Sequence, residues 1–436
     1  MFRGAERGIL RFFITFFCAP AAFFLNVHTC RIFRLENLSS AFSSTGKAMA
    51  DSDTRGTTRD VKTGQAEKTR SEGTRHELSL NWTSGQGYDS NPLRMDPCTG
   101  YPSVSTLFAV GTLDLNWQHR FGPRDMFKLS YLAGGRLHSN HRARGEDVFK
   151  HRVEGAWHSA FRPGSVFSLS GLYWESWERK FGDKMFPAPT GGLGAEKPIS
   201  YPSLQDYRYM QIQPSYFAAL REGTWASVTL SAASFDYRPV PALGFQSAGL
   251  GSGIRHRGVL GTSERTSTLD LSAHYSLDMH FYPEPARDGA IRRRDALHVL
   301  ALEGVYVGSF LAGVSYNLRA NLSSDKAWTL TRHTITARGA INLPLDIIGV
   351  LKGVYQHLSY SGTLLIYTPT SPEPFMQLDE ETRSSILVSL QREVMKGLAI
   401  NLVYKVYLGR TPAACGEPYV RHVTTLEFSG SISLLE

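Results

Sequence analysis

Two acidic residues and one histidine on one predicted strand have the residue types and the regular spacing of a candidate acid–base site. Asp270, His274 and Asp278 recur every four residues, and a carboxylate beside an imidazole is the arrangement of a general base. Residues i and i+4 of a strand lie about 13 Å apart, so these side chains cannot contact one another directly. Partners on neighbouring strands would be needed to complete a catalytic site.

The sequence lacks the compact motifs that mark common enzyme and metal sites. It contains no G-x-S-x-G elbow, no H-E-x-x-H helix and no phosphate-binding glycine loop. His138 and His141 are two predicted loop histidines without further ligands, and such residues are usually ordinary polar ones. We therefore expect no enzymatic activity, no cofactor and no bound metal.

Composition excludes two broad classes of protein. The net charge is +8, but Lys and Arg are spread along the chain without a basic block, which argues against a nucleic-acid partner. With 42% hydrophobic residues in short runs, the chain is too polar for a bundle of membrane helices. The 40 glycines and 21 prolines suit a structure with many turns.

The first 75 residues differ from the rest. Residues 1–50 predict an export leader, because arginines precede and enter an apolar run over residues 9–25. Cleavage near Ala21 or after Ala50 is compatible with the pattern, and a retained membrane anchor is the alternative. Residues 51–75 mix charges of both signs with Thr, Gly and Ser, and they predict a disordered periplasmic tether.

From residue 76 onward, apolar and polar side chains alternate in run after run. In residues 268–281, Leu271 and Tyr275 share one face with other apolar residues, while Asp270 and His274 share the other. A period of two predicts β-strands. Short connections with turn-forming residues alternate along the chain with long polar ones. This alternation predicts a meander of strands whose two chain ends lie on the side of the short turns.

We count about sixteen strands, with fourteen as the second choice. The weakest, over residues 252–261, is included partly because an even number is expected. Many runs are ten to fifteen residues long, whereas strands of soluble sandwiches cluster near five or six. Aromatic residues near strand ends, such as Trp117, Tyr173 and Tyr407, suit the girdles at the two membrane interfaces. Residues 76–436 therefore predict an all-β fold, an antiparallel up-and-down transmembrane β-barrel.

A short motif follows the first strand: Gly87-Tyr88-Asp89-Ser90-Asn91-Pro92. With the strand pattern of residues 76–436, it resembles Gram-negative outer-membrane β-barrel proteins of the porin-like kind. The resemblance implies a bacterial outer-membrane location, contact with outer-membrane lipid and insertion by the barrel assembly machinery. The chain departs from that family at its end, where Leu434-Leu435-Glu436 stands in place of a terminal aromatic residue.

Charged and polar residues on the polar faces are the candidate lumen-lining residues. Acids and bases nearly balance, so no strong ion selectivity is expected. We expect the following residues to line the lumen: Asp114, Lys128, Arg136, Arg152, Glu154, Asp270, His274, Asp278, Arg319 and Lys405.

These observations favour a channel for passive diffusion of small hydrophilic solutes. Two alternatives stay open: a transporter of hydrophobic molecules, like the fatty-acid transporters, and a surface-exposed barrel whose loops bind other molecules. The oligomeric state is also open, a homo-oligomer included. Cys98 and Cys415 fall in loops beside the first and last strands, which barrel closure makes neighbours, so a disulfide between them is one hypothesis and two free thiols the other.

Overall fold

A computed structural model describes residues 75–90, 105–140, 147–178, 207–237, 244–261, 267–283, 292–324, 329–360, 384–410 and 418–435. Among these residues, no helix has the length and apolar character needed to cross a membrane. The strands are β1 Arg75–Asp89, β2 Thr106–Arg120, β3 Asp125–His138, β4 Val148–Arg162, β5 Ser165–Glu178, β6 Tyr207–Arg221, β7 Thr224–Tyr237, β8 Phe245–Leu260, β9 Ser267–Phe281, β10 Arg294–Val307, β11 Leu311–Ser323, β12 Leu330–Leu343, β13 Ile347–Tyr360, β14 Ser384–Met395, β15 Leu398–Arg410 and β16 Pro418–Leu435.

The strands form one closed barrel. Each strand pairs antiparallel with its neighbours in the chain, and β16 pairs with β1 to close the ring. The prediction of an all-β, antiparallel, up-and-down barrel is confirmed. Its strand number is sixteen, so the second choice of fourteen was wrong.

Tight turns join alternate pairs of strands. Gly164, Gly223 and Gly397 each stand immediately before the second strand of a hairpin and have φ between 68° and 78°. Glycine adopts this left-handed conformation without the steric cost that a Cβ would add. These positions explain why the short connections are recognisable in the sequence.

Two strand boundaries differ from the prediction for a shared reason. β8 begins at Phe245, whereas the sequence pattern predicts a start at residue 252. β1 continues to Asp89, whereas the pattern predicts a first strand over residues 76–84. Each added segment contains two glycines, which carry no alternating apolar signal. In β1, a Cβ on Gly87 would collide with the ring of Phe108 and with the carbonyl oxygen of Thr424, so close packing requires glycine there.

The barrel has one apolar and one polar face. Val228 and Leu230 of β7 are 52% and 54% exposed, whereas Ser227, Thr229 and Ser231 alternate with them on the other face. Exposed large apolar residues recur in the same way around the ring, from Leu107 on β2 to Phe428 on β16.

Contacts that pass over an intervening strand show which face is concave. The Ser231 hydroxyl of β7 donates to Asp278 of β9 at 3.0 Å across β8, and Arg338 of β12 donates to Glu303 of β10 at 2.8 Å across β11. Side chains converge in this way only on the concave side of a barrel. The polar face is therefore inside and the apolar face outside. This is the architecture of a transmembrane β-barrel, whose apolar outer face suits contact with lipid.

Candidate functional site

The candidate site is the concave wall of the barrel. The strand register places all ten residues proposed from the sequence on this face. Those on the first half of the ring are Asp114 of β2, Lys128 and Arg136 of β3, and Arg152 and Glu154 of β4. The others are Asp270, His274 and Asp278 of β9, Arg319 of β11 and Lys405 of β15.

A stripe of glycines on β8 forms a recess in this wall. We call Gly249, Gly251 and Gly253 the β8 recess. A Cβ on Gly249 would collide with the carboxylate of Asp278 and with the Ser231 hydroxyl, so the carboxylate occupies the space over Gly249. Because the glycines have no side chains, side chains from β9 can lie against the wall there.

His274 lies over the other two glycines of the recess. An added Cβ would meet its Cε1 atom at 3.0 Å from Gly251 and its Nδ1 atom at 3.2 Å from Gly253. Asp278 accepts hydrogen bonds from Ser231 at 3.0 Å and from Ser276 at 3.4 Å. The recess is therefore lined by small polar groups, a carboxylate and an imidazole.

Asp270 has different partners from His274 and Asp278, which share the β8 recess. Asp270 binds Arg255, whose Nε atom donates at 2.8 Å, and Arg257, whose Nη2 atom donates at 3.3 Å. Asp278 is bonded to serines, as described above. The two carboxylates on this strand face are therefore held by different partners, arginines for Asp270 and serines for Asp278.

Arg136 and Lys405 pack against aromatic rings on the concave face. The Arg136 guanidinium lies 4.7 Å from the centre of the Phe108 ring, and the Lys405 ammonium lies 4.4 Å from that of Tyr407. Tyr407 is fully buried. The expectation that Tyr407 belongs to an interfacial girdle was wrong. Side chains alternate between the two faces along β15, and Tyr407 lies on the concave face, as Lys405 does.

A second group at the long-connection end was not anticipated. Aromatic side chains from successive strands pack into one buried cluster, which consists of Trp174, Tyr207, Phe235, Phe245 and Tyr282. Tyr282 donates to Asp295 at 3.1 Å, and Arg293 and Asn321 donate to the same carboxylate at 2.9 and 3.0 Å. Tyr282 follows the end of β9, and burial raises the pKa of its hydroxyl. The sequence signal was an aromatic residue near the same end of consecutive strands.

The motif at the end of the first strand joins that strand to the last one. Arg421 of β16 donates to both carboxylate oxygens of Asp89, at 2.9 and 3.0 Å, and both side chains are buried. The Ser90 amide donates to the His422 carbonyl at 3.0 Å, and the His422 amide donates to the Ser90 hydroxyl at 2.8 Å. We call these four residues the closure seam.

Several sequence predictions fall outside the described residues. They include the leader, the tether up to residue 74, His141, and both Cys98 and Cys415. His138, by contrast, is buried at the end of β3, and its Nδ1 atom lies 3.2 Å from Asp147. In the part of the chain that the structure describes, no group of three or more potential metal ligands is present.

No protein-family model matches the sequence, and no curated protein matches it. Solved structures of similar fold include Salmonella typhi OmpF in a complex with daunomycin, which is 10% identical with a TM-score of 0.46. The match covers 81% of this chain and 97% of that one. Pseudomonas aeruginosa OccK5 (OpdH) is also 10% identical, with a TM-score of 0.44 and coverage of 83% and 98%. Pseudomonas aeruginosa OpdQ is 11% identical, with a TM-score of 0.42 and coverage of 82% and 98%.

Proposed function

We propose that this barrel is a channel through which small hydrophilic solutes cross the outer membrane by passive diffusion. The observation that carries the proposal is the β8 recess, where Asp278 and His274 lie along the wall over glycines. A wall of polar side chains suits the passage of hydrated solutes. The ten concave residues described above are proposed to line that path.

Weak ion selectivity belongs to the same proposal. Several concave charges are already balanced by partners, as in Asp270 with Arg255 and in Glu303 with Arg338. Paired charges create a smaller net field along the path than isolated charges of one sign. We assign no catalytic step to this wall, and insertion by the barrel assembly machinery and the oligomeric state stay predictions.

Conductance in planar bilayers tests the proposal. We expect the purified full-length protein to give stepwise ohmic currents, and proteoliposomes to swell in isotonic solutions of small sugars. Silence in both assays would contradict the channel and favour a transporter of hydrophobic molecules or a surface-binding barrel.

Two adjacent positions of β7 provide a matched pair of variants. Ser231→Trp adds a large ring on the concave face beside the recess, and we expect it to lower single-channel conductance. Leu230→Trp adds the same ring on the convex face, where Leu230 is 54% exposed, and we expect unchanged conductance. If both variants conducted alike, the assignment of the path to the concave face would be wrong.

A further inference from the structure

Tyrosine and histidine form the same hydrogen-bonded pair in three separate hairpins. The tyrosine hydroxyl lies within hydrogen-bond distance of the histidine Nδ1 atom in each case, at 2.8 to 2.9 Å. We call this set the tyrosine–histidine belt, which consists of Tyr275 with His298, Tyr316 with His333, and Tyr404 with His422. His357 lies directly across from His333 on β13, with ring centres 6.3 Å apart.

The belt runs at one depth of the barrel. His298 lies four residues after the start of β10, His333 three after the start of β12, and His422 four after the start of β16. These strand starts all lie at the edge of the barrel that carries the long connections, and in outer-membrane barrels that edge faces the outside of the cell. The partner tyrosines lie deeper, six or seven residues from the corresponding ends of β9, β11 and β15. Each hydroxyl therefore points from the apolar band toward the outer interface.

The belt belongs to the convex surface. Tyr275 and Tyr404 are 43% and 41% exposed, on the same strand faces as the exposed Leu271 and Leu402. It is thus continuous with the band that contacts lipid hydrocarbon. Amphipathic side chains at this level meet lipid headgroups, because the ring is apolar and its polar atom is wet.

The charges around the belt favour an anionic partner. Among the described residues, the convex face of β8 to β16 carries no carboxylate, as its strand register and sequence show. Arg294 is exposed on the same face of β10, four residues nearer the strand end than His298. A histidine N–H group with an arginine above it, as in His298 with Arg294, provides donors that suit phosphate oxygens.

The tyrosine bond prepares each histidine for this role. When the hydroxyl donates to Nδ1, the neutral ring carries its proton on Nε2, at the opposite side of the imidazole. The bond also fixes the orientation of the ring. We infer that the tyrosine–histidine belt binds the phosphate-bearing headgroups of glycolipid in the outer leaflet, with the Nε2–H groups and Arg294 as donors.

Native mass spectrometry of the full-length protein with added lipid A tests this inference. The variant is His298→Phe with His333→Phe and His422→Phe, which keeps an aromatic ring at each site and removes the donors. We expect the wild type to retain diphosphoryl lipid A about tenfold more than the triple variant, since three hydrogen bonds are lost. We also expect the wild type to retain dephosphorylated lipid A no better than the triple variant does.

A matched control lies at the opposite edge of the same face. His256 of β8 is also bonded through Nδ1, to the Thr224 hydroxyl at 2.8 Å, but it lies near a short turn. His256→Phe should retain lipid A like the wild type. The inference would be overturned if the wild type and the triple histidine variant retained diphosphoryl lipid A equally. It would also be overturned if the wild type retained diphosphoryl and dephosphorylated lipid A equally.

A second variant keeps the inference testable if the first does not fold. Tyr275→Phe with Tyr316→Phe and Tyr404→Phe leaves the histidines in place but removes the hydroxyls that orient them. We expect it to retain less diphosphoryl lipid A than the wild type, whereas unchanged retention would show that the pairing has no role. Heat-dependent migration in a gel reports whether each barrel is folded. The inference concerns the convex face and is independent of conduction.

Discussion

At the scale of single residues, the absence of a side chain at a glycine determines where neighbouring side chains lie. Gly249 leaves open the space that the Asp278 carboxylate fills, and Gly87 leaves the space for the Phe108 ring. In both places the glycine lies on the crowded concave face, where side chains from three strands converge. Gly249 and Gly87 lie in the two segments that the strand prediction omitted. At both positions close packing excludes a side chain.

The first prediction concerns Gly249. Gly249→Ala should push Asp278 away from the wall, because a Cβ would collide with its carboxylate and with the Ser231 hydroxyl. We expect lower single-channel conductance and a loss of stability of about 1–3 kcal/mol, the usual cost of overpacking. Planar-bilayer recording and urea unfolding measure the two effects.

The control for this prediction is another strand glycine. An added Cβ on Gly353 of β13 meets no atom within 4 Å, so Gly353→Ala should leave conductance unchanged. If Gly249→Ala conducted like the wild type and unfolded at the same urea concentration, the recess would have no part in shaping the bore.

At the scale of elements, the closure seam completes the ring of strands. It joins β1 to β16 through backbone hydrogen bonds and through one buried ion pair, Asp89 with Arg421. A buried ion pair stabilises only weakly in itself, but removal of one partner leaves a desolvated charge. The short motif around Asp89 therefore has a structural role in closure that its sequence alone did not reveal.

The second prediction follows from this pair. Asp89→Ala should destabilise the barrel by about 3–5 kcal/mol, because the Arg421 charge loses its carboxylate. Equilibrium unfolding in urea, followed by tryptophan fluorescence, measures the change. The double variant Asp89→Leu with Arg421→Met should recover much of the stability, since both buried charges are then gone.

An exposed pair provides the comparison. Glu303 has a side-chain exposure of 45%, so solvent screens its bond to Arg338. Glu303→Ala should cost only about 0–1 kcal/mol. If Asp89→Ala cost no more than that, the ion pair would not contribute to closure.

At the scale of the whole molecule, closure brings the two ends of the described barrel together. The long connection after β1 and the one before β16 leave the barrel from adjacent strands at the same edge. Cys98 lies in the first connection and Cys415 in the second, and both are outside the described residues. A disulfide between them would tie the two connections together across the closure seam.

The third prediction is that this disulfide forms. In an oxidising envelope, two cysteines on connections from adjacent strands are candidates for a bond. We expect intact mature protein to migrate differently in a denaturing gel after reduction, because the bond closes a loop of more than 300 residues in the unfolded chain. Cys98→Ser should migrate like the reduced protein in both conditions, and identical migration of the wild type with and without reductant would count against the bond.

The sequence by itself determined the barrel and most of its strands. The sequence pattern predicts strands over residues 106–120, 224–237 and 311–323, and these bounds coincide with those of β2, β7 and β11. They could be predicted because alternation with a period of two is a local signal that each strand carries in its own residues. The turns were recognisable for a similar reason, since glycines such as Gly164 and Gly223 permit a backbone conformation that other residues avoid.

Only the tertiary structure decided which residues meet. The start of β8 is set by its pairing with β7 and β9. Asp89 forms an ion pair with Arg421, which lies 332 residues away in the chain. The tyrosine–histidine belt likewise joins residues of different strands. The register between two strands cannot be read from the sequence of either strand by itself. The physical reason is that alternation assigns each side chain to a face, whereas its height and its partners depend on the stagger of all sixteen strands in the closed ring.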